Sequence, residues 1–200
     1  MIKKATRGNP WEDHYARKAR KENYPARSVF KLKEIQKKVR LIRPGDRVLD
    51  LGCAPGSWTL HAAELVGPGG RVIGIDLKPV AVSLPSHARA LQGDVFDMTD
   101  TLREELQSGF DVVISDMAPT TIGHRATDAA RSEALCEAAL QIALDHLTVG
   151  GHFLCKIFQG SDFKAFTDHI KGAFSRQRIY KPQSSRKASR EIYVIGLGKR

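Results

Sequence analysis

Three acidic residues, each in or just behind a short strand-like run, are the first whose type and spacing could do chemistry. One run leads into Asp50-Leu51-Gly52-Cys53-Ala54-Pro55-Gly56-Ser57-Trp58, the next into Asp76, and the third into Gln92-Gly93-Asp94. Glycines 52 and 56 let the backbone approach a ligand where a side chain would block it, and Ser57 is placed to cap a following helix. Asp76 lies 24 residues beyond Gly52, where an acid in strand–helix folds can accept both hydroxyls of a ribose. Asp94 stands where it could accept a hydrogen bond from an adenine amino group. A dinucleotide site needs Gly-x-Gly-x-x-Gly to seat a pyrophosphate, and Gly-x-x-x-Gly replaces it here, which disfavours a nicotinamide oxidoreductase. Taken singly, the loop reads equally as a strand-to-helix turn and each aspartate as a turn former. Jointly they are consistent with an adenosyl ligand that carries no phosphates.

Asp116 and Lys156 form a second group. Both belong to β-branched runs, where an ionisable residue is costly unless paired or functional. Lys31 and Glu191, by contrast, read in isolation as surface charges.

The elements that must position these residues follow from periodicity. Strands are expected at Arg47–Leu51, Arg71–Leu77, Ala90–Asp94, Asp111–Asp116, His152–Phe158, Arg178–Lys181 and Glu191–Leu197, with helices between them, most clearly Ala126–Leu147. That alternation implies an α/β fold, a mostly parallel sheet with helices on both faces and ligands at the carboxyl ends of the strands. Before it, Ser28–Arg40 predicts a helix, with Phe30, Leu32, Ile35 and Val39 as a partial apolar stripe and Lys31, Lys33, Lys37 and Lys38 covering the rest. Residues 1–27 are polar and basic, with Trp11 and Tyr15 as anchors, and read as a flexible arm that orders on RNA; residues 28–200 read as one domain.

The 200 residues carry a formal charge of +10. Residues 1–40 contribute +9 and 171–200 contribute +8, so the middle is acidic at −7. A fold that brings the two basic ends together makes one electropositive face for a polyanion, with nucleic acid as the leading partner. Cys53, Cys136 and Cys155 are scattered and indicate neither a disulfide framework nor a zinc site. No apolar run approaches the roughly 20 residues of a membrane span, and the basic N-terminus lacks an apolar signal core, so the chain reads as cytoplasmic.

Leu51-Gly52-Cys53-Ala54-Pro55-Gly56-Ser57-Trp58, Ser115-Asp116-Met117-Ala118-Pro119, Cys155-Lys156-Ile157-Phe158-Gln159-Gly160 and Lys181-Pro182-Gln183-Ser184-Ser185-Arg186 through Ser189-Arg190-Glu191-Ile192-Tyr193 together closely resemble the FtsJ/RrmJ family of RNA 2′-O-methyltransferases. The resemblance runs from about residue 10 to the end of the chain. It implies a Rossmann-like, seven-stranded methyltransferase fold that binds S-adenosylmethionine (SAM) through Gly52, Ala54, Pro55, Gly56, Trp58, Asp76, Asp94 and Asp116, with no metal. It also implies a catalytic tetrad of Lys31, Asp116, Lys156 and Glu191. In this reading Lys156 takes the proton of the ribose hydroxyl and Asp116 orients it, while Lys31 and Glu191 tune the pair. A lysine base needs a lowered pKa: a neighbouring cation or desolvation lowers it, nearby carboxylates raise it, and the sequence does not decide between them.

Enzymes that methylate exocyclic amines commonly place an aromatic after Asn/Asp-Pro-Pro to stack the base. Asp116-Met117-Ala118-Pro119 has none, which fits attack on ribose. Lys181, Arg186, Lys187 and Arg190 are expected to contact RNA phosphates. Within the family, the compact chain is most similar to the bacterial and organellar ribosomal RNA branch, implying a monomer that acts on a uridine in the A-loop of large-subunit rRNA. A tRNA methyltransferase and a non-catalytic, SAM-binding ribosome assembly factor are the alternatives.

Overall fold

A computed structural model describes residues 10–107, 109–119, 125–158, 160, 163–186 and 189–200. Strands β1 (Arg47–Leu51), β2 (Arg71–Asp76), β3 (Ala88–Gln92), β4 (Phe110–Ser115), β5 (Leu147–Phe158), β6 (Phe174–Tyr180) and β7 (Glu191–Lys199) form one sheet in the order β3-β2-β1-β4-β5-β7-β6. Every pairing is parallel except those of β7, which runs antiparallel to both β5 and β6. The described helices are α1 (Pro10–Lys21), α2 (Val29–Val39), α3 (Ser57–Val66), α4 (Asp100–Leu106), α5 (Arg125–His146) and α6 (Phe163–Ala173). The order of strands reverses between β1 and β4, so a crevice opens at their carboxyl ends, the place where such sheets bind ligands.

Alternation along the strands divides the core into two layers. Leu49, Val113, Phe153, Cys155 and Val194 face α5 and α6. Val48, Ile114, Leu154, Tyr193 and Ile195 face Leu32 and Ile35 of α2 and Trp58 and Ala62 of α3. The same parity carries Asp50, Asp116, Lys156, Phe158 and Glu191 toward the α2 and α3 side. Most of the chemistry-bearing residues therefore share one face of the sheet.

Three expected strands were set too short, β7 by two residues at its end, and β3 lies at Ala88–Gln92, two residues before its expected place. β6 begins at Phe174 rather than Arg178 because its Ser, Arg and Gln residues face solvent on an edge and show no apolar run; pairing with β7 makes it a strand. β5 begins at Leu147, directly after α5, with its first residues irregular against β4.

Part of the expected N-terminal arm departs from expectation. Residues 1–9 and the side chain of Trp11 lie outside the described residues, but residues 10–27 are folded against the body of the protein. Ala19 and Tyr24 are buried with Val29 and Phe30, and the Tyr24 hydroxyl donates to Glu64 Oε2 of α3 at 2.5 Å, beside His61. Ser57 Oγ accepts from Ala26 N at 2.7 Å and donates to Ala26 O. The basic composition of the segment hid these few anchors. The three cysteines are free and buried, and among the described residues no helix is long and apolar enough to cross a membrane.

Candidate active site

The first cavity, about 380 Å³, opens at the carboxyl ends of β1, β2 and β4. Gly52, Ala54, Asp76, Asp94 and Asp116 line it, as expected of a ligand site, together with Leu77, Phe96 and Met117, which the sequence reading did not single out. Leu77 and Phe96 are 63% and 60% exposed, two large apolar side chains left open on the cleft. Asp76 holds the loop in place: Oδ2 accepts from Ala54 N at 2.9 Å and Oδ1 from Lys78 N at 2.8 Å. Asp94 Oδ1 accepts from Phe96 N at 2.9 Å. Three carboxylates against one lysine, Lys78, suit a cationic ligand and oppose a polyphosphate. With the apolar side chains open on the cleft, the residues present fit SAM, whose adenosine and sulfonium need these partners.

Several residues of the loop serve other purposes than expected. A side chain at Gly52, whose φ is +80°, would strike Met117 Cγ at 2.6 Å; at Gly56, φ +107°, it would strike Val82 and Val80. Both glycines are thus required by protein packing, and Pro55, Gly56 and Trp58 are not among the cavity's lining residues. Trp58 is buried, its indole tilted against the Tyr193 ring at 5.9 Å and its Nε1 donating to Ser28 O at 2.9 Å. It braces α2 against the sheet, because position 58 falls on the inward face of α3. Ser57 is not the helix cap; Gly56 occupies that position.

The four residues expected to form a tetrad converge. Lys156 Nζ lies 3.1 Å from Asp116 Oδ1 and also donates to the Asp116 carbonyl. Lys31 Nζ lies 2.9 Å from Glu191 Oε1 and 4.0 Å from Asp116 Oδ1. None of the four side chains exceeds 16% exposure. Lys31 and Glu191 are therefore far from the solvated charges their sequence context suggests: α2 turns Lys31 inward, and β7 brings Glu191 opposite Phe158 of β5.

A fifth member, Tyr193, donates its hydroxyl to Asp116 Oδ1 at 2.7 Å. The sequence carried a signal for it, since Tyr193 lies two residues from Glu191 on one strand and so shares its face. Burial alone would raise the Asp116 pKa, but the ammonium groups of Lys156 and Lys31 and the hydrogen bonds from Tyr193 and Lys156 hold it below the usual carboxylate range. Burial and the Asp116 and Glu191 carboxylates push the Tyr193 phenol well up, so it remains a donor.

On the other side of the tetrad lies a second cavity of about 310 Å³, lined by Arg27, Lys31, Phe158, Arg186, Ser189 and Glu191. Asp116 lines the first cavity, and Lys31 and Glu191 line the second. The tetrad is thus a polar partition between two openings. Of the expected RNA-contacting residues, Arg186 and Arg190 are exposed, and Lys181, also exposed, donates to Ser189 O at 2.8 Å. Lys187 lies outside the described residues. The two basic ends do meet: Gln183 N and Ser184 N donate to Glu34 of α2 at 2.6 and 2.9 Å, and Arg27 Nη2 donates to Ser184 O at 2.6 Å.

The model of the FtsJ-like methyltransferase family matches residues 24–199. The chain is 60% identical over 192 residues to ribosomal RNA large subunit methyltransferase E of Desulforapulum autotrophicum, covering 96% of this chain and 95% of that one. It is 52% identical over 200 residues to the protein of the same name from Desulfosudis oleivorans, covering 100% and 97%. Among solved structures, a Plasmodium falciparum protein described as a ribosomal RNA methyltransferase superimposes with a TM-score of 0.76 at 26% identity, over 88% of this chain and 98% of that one. Aeropyrum pernix fibrillarin, solved with bound SAM, shares the fold at a TM-score of 0.57 and 19% identity, over 78% and 68%.

Proposed function

The chain belongs to the FtsJ-like methyltransferase family, and from that premise we propose that it transfers the methyl group of SAM to a ribose 2′-hydroxyl of RNA, on a uridine in the A-loop of large-subunit rRNA in the 50S particle. The observation that carries the reaction is the buried Lys31–Asp116–Lys156–Glu191 partition between two cavities, one fitting a cationic adenosyl donor and the other opening on arginines. The names of the similar large-subunit rRNA methyltransferases favour the target. In this reading residues 28–200 form the catalytic domain of a cytoplasmic monomer.

When bound, SAM supplies a methyl group already activated by its sulfonium, so the protein must align an in-line displacement and manage one proton. Gly52, Ala54, Asp76 and Asp94 would hold the donor. Asp116, kept ionised and aimed by Tyr193, fixes the Lys156 amine; Lys31 and Glu191 hold the ribose from the other cavity. With all four ionised, the tetrad carries no net charge. Lys156 in its neutral form accepts the proton of the 2′-hydroxyl as the oxygen–carbon bond forms and the sulfur–carbon bond breaks.

The test is transfer of labelled methyl from SAM to 50S subunits, free rRNA and tRNA purified from cells lacking the activity, using wild type and Lys156→Ala. Label at a ribose 2′-oxygen of the 50S particle is expected, reduced at least about 100-fold in the variant. Label on tRNA alone would overturn the target, and SAM binding without turnover on any RNA would favour an assembly factor.

A further inference from the structure

We propose that the cavity across the tetrad from the SAM cleft is an acceptor subsite for one extruded RNA nucleotide, with Phe158 stacking on its base and Arg27 taking a flanking phosphate. The inference rests on the reaction proposed above and specifies how that site takes its substrate.

Phe158 is the last residue of β5. Parity puts its side chain on the same face as Lys156, two residues earlier, and the register sets it directly opposite Glu191. Two residues along a strand span about 7 Å, so a base lying on the Phe158 ring leaves its ribose over Lys156 and Glu191. Phe158 is half-buried and belongs to none of the three apolar clusters, so the core makes no use of this ring. It lines the cavity together with Arg27 and Arg186 instead. Aromatic faces hold unstacked RNA bases by stacking, and guanidinium groups in the same cavity suit the phosphates beside them.

Arg27 is held by two contacts: Nη2 donates to Ser184 O at 2.6 Å, and the guanidinium lies over the Tyr15 ring at 5.4 Å. Its Nη1 is buried with no hydrogen-bond partner, and the hydroxyls of Ser184 and Ser185 are in the same condition. Both serines are more than nine-tenths buried, at 1% and 7% exposure. Three unpaired buried polar groups in one corner are costly; of the three residues Arg27 alone lines the cavity, and a phosphodiester oxygen is the acceptor that an RNA bound there would bring it. Access to Nη1 requires the cavity wall to shift as the RNA enters. At about 310 Å³, the cavity lies at the lower end of the roughly 300–1,000 Å³ of ligand sites, space for one nucleotide and too little for a duplex.

Two measurements test this: the KM for unmodified 50S subunits, and their affinity by filter binding with S-adenosylhomocysteine present, which needs no turnover. Phe158→Leu keeps an apolar side chain and is expected to raise the KM and to weaken the affinity by about 10- to 100-fold while leaving the Kd for SAM unchanged; Phe158→Tyr should restore them to within a few-fold. Arg27→Gln is expected to reduce the salt dependence of binding by about one counterion. Wild-type KM and affinity in Phe158→Leu, failure of the tyrosine to rescue, or an equal loss of SAM affinity would each overturn the subsite. Affinity that depends on Phe158 in a wild-type protein that methylates no RNA would support the subsite and overturn only the reaction.

Discussion

A carboxyl group enclosed on every side, with two other carboxylates nearby, is easier to keep neutral than charged, and Asp50 is so placed. Burial pushes its pKa up to about 7, repulsion from Asp116 and Asp76 adds to this, and the Thr59 hydroxyl, donating to Oδ2 at 2.8 Å, opposes it. Oδ1 is buried without a partner. In the unfolded chain an aspartate titrates at about 3.9. Between about pH 4 and pH 7 the folded protein therefore keeps a proton that the unfolded chain has lost, so stability falls as pH rises through that window. Asp50→Asn has the same shape and cannot ionise. Thermal melts at about pH 5 and pH 8 should show wild type losing more Tm than the variant; parallel losses would mean that Asp50 does not titrate there. Asp116, on the wall of the first cavity, shows the opposite outcome, because two ammonium groups and a phenol stabilise its charge.

Elements bring these residues together, and one short latch does much of it. Glu34 on α2 accepts from two successive backbone amides, Gln183 and Ser184, and so fixes the β6–β7 connection that carries Arg186 beside the second cavity. Hydrogen bonds to a charged group are worth about 1.5–3 kcal/mol each. Glu34→Ala is expected to destabilise the protein by about 2 kcal/mol and to speed hydrogen exchange at Gln183 and Ser184 while leaving β1 and β4 protected; unchanged exchange at those amides would show that the connection holds itself. The latch joins residues nearly 150 positions apart, and nothing around Glu34 distinguishes it from the other charges of a basic helix. The tetrad was legible for a different reason. Asp116 and Lys156 break apolar runs, and their surrounding motifs are long and ordered. Tyr193 was not singled out, although its spacing from Glu191 puts both on one face, because an aromatic in a strand is ordinary until the neighbouring strand brings Asp116 to its hydroxyl.

Across the whole molecule, the charge is divided between basic ends and an acidic middle, and the fold joins those ends through α2 and the β6–β7 connection. Affinity for the 50S particle should therefore fall at least about ten-fold between roughly 50 and 200 mM salt, as bound counterions are no longer released at a net gain. SAM affinity, set in an enclosed cleft, should change little over the same range. A particle affinity indifferent to salt would place RNA recognition elsewhere than on this basic face.

Strand and helix alternation and the glycine loop with its following aspartates were legible in the sequence alone, because each rests on local periodicity or on residues contiguous in a motif, whereas Lys31 and Glu191 were legible only through the family resemblance. The bounds of β6, the packing of residues 10–27, the inward turn of Trp58 and the packing reasons for Gly52 and Gly56 were decided only by the tertiary structure. Each depends on a partner distant in the chain: β7 for the edge strand, α3 for Tyr24, Tyr193 for the indole, and Met117, Val80 and Val82 for the glycines. A residue's type limits what it can do, and which neighbour it meets is settled only when the sheet brings separate strands side by side.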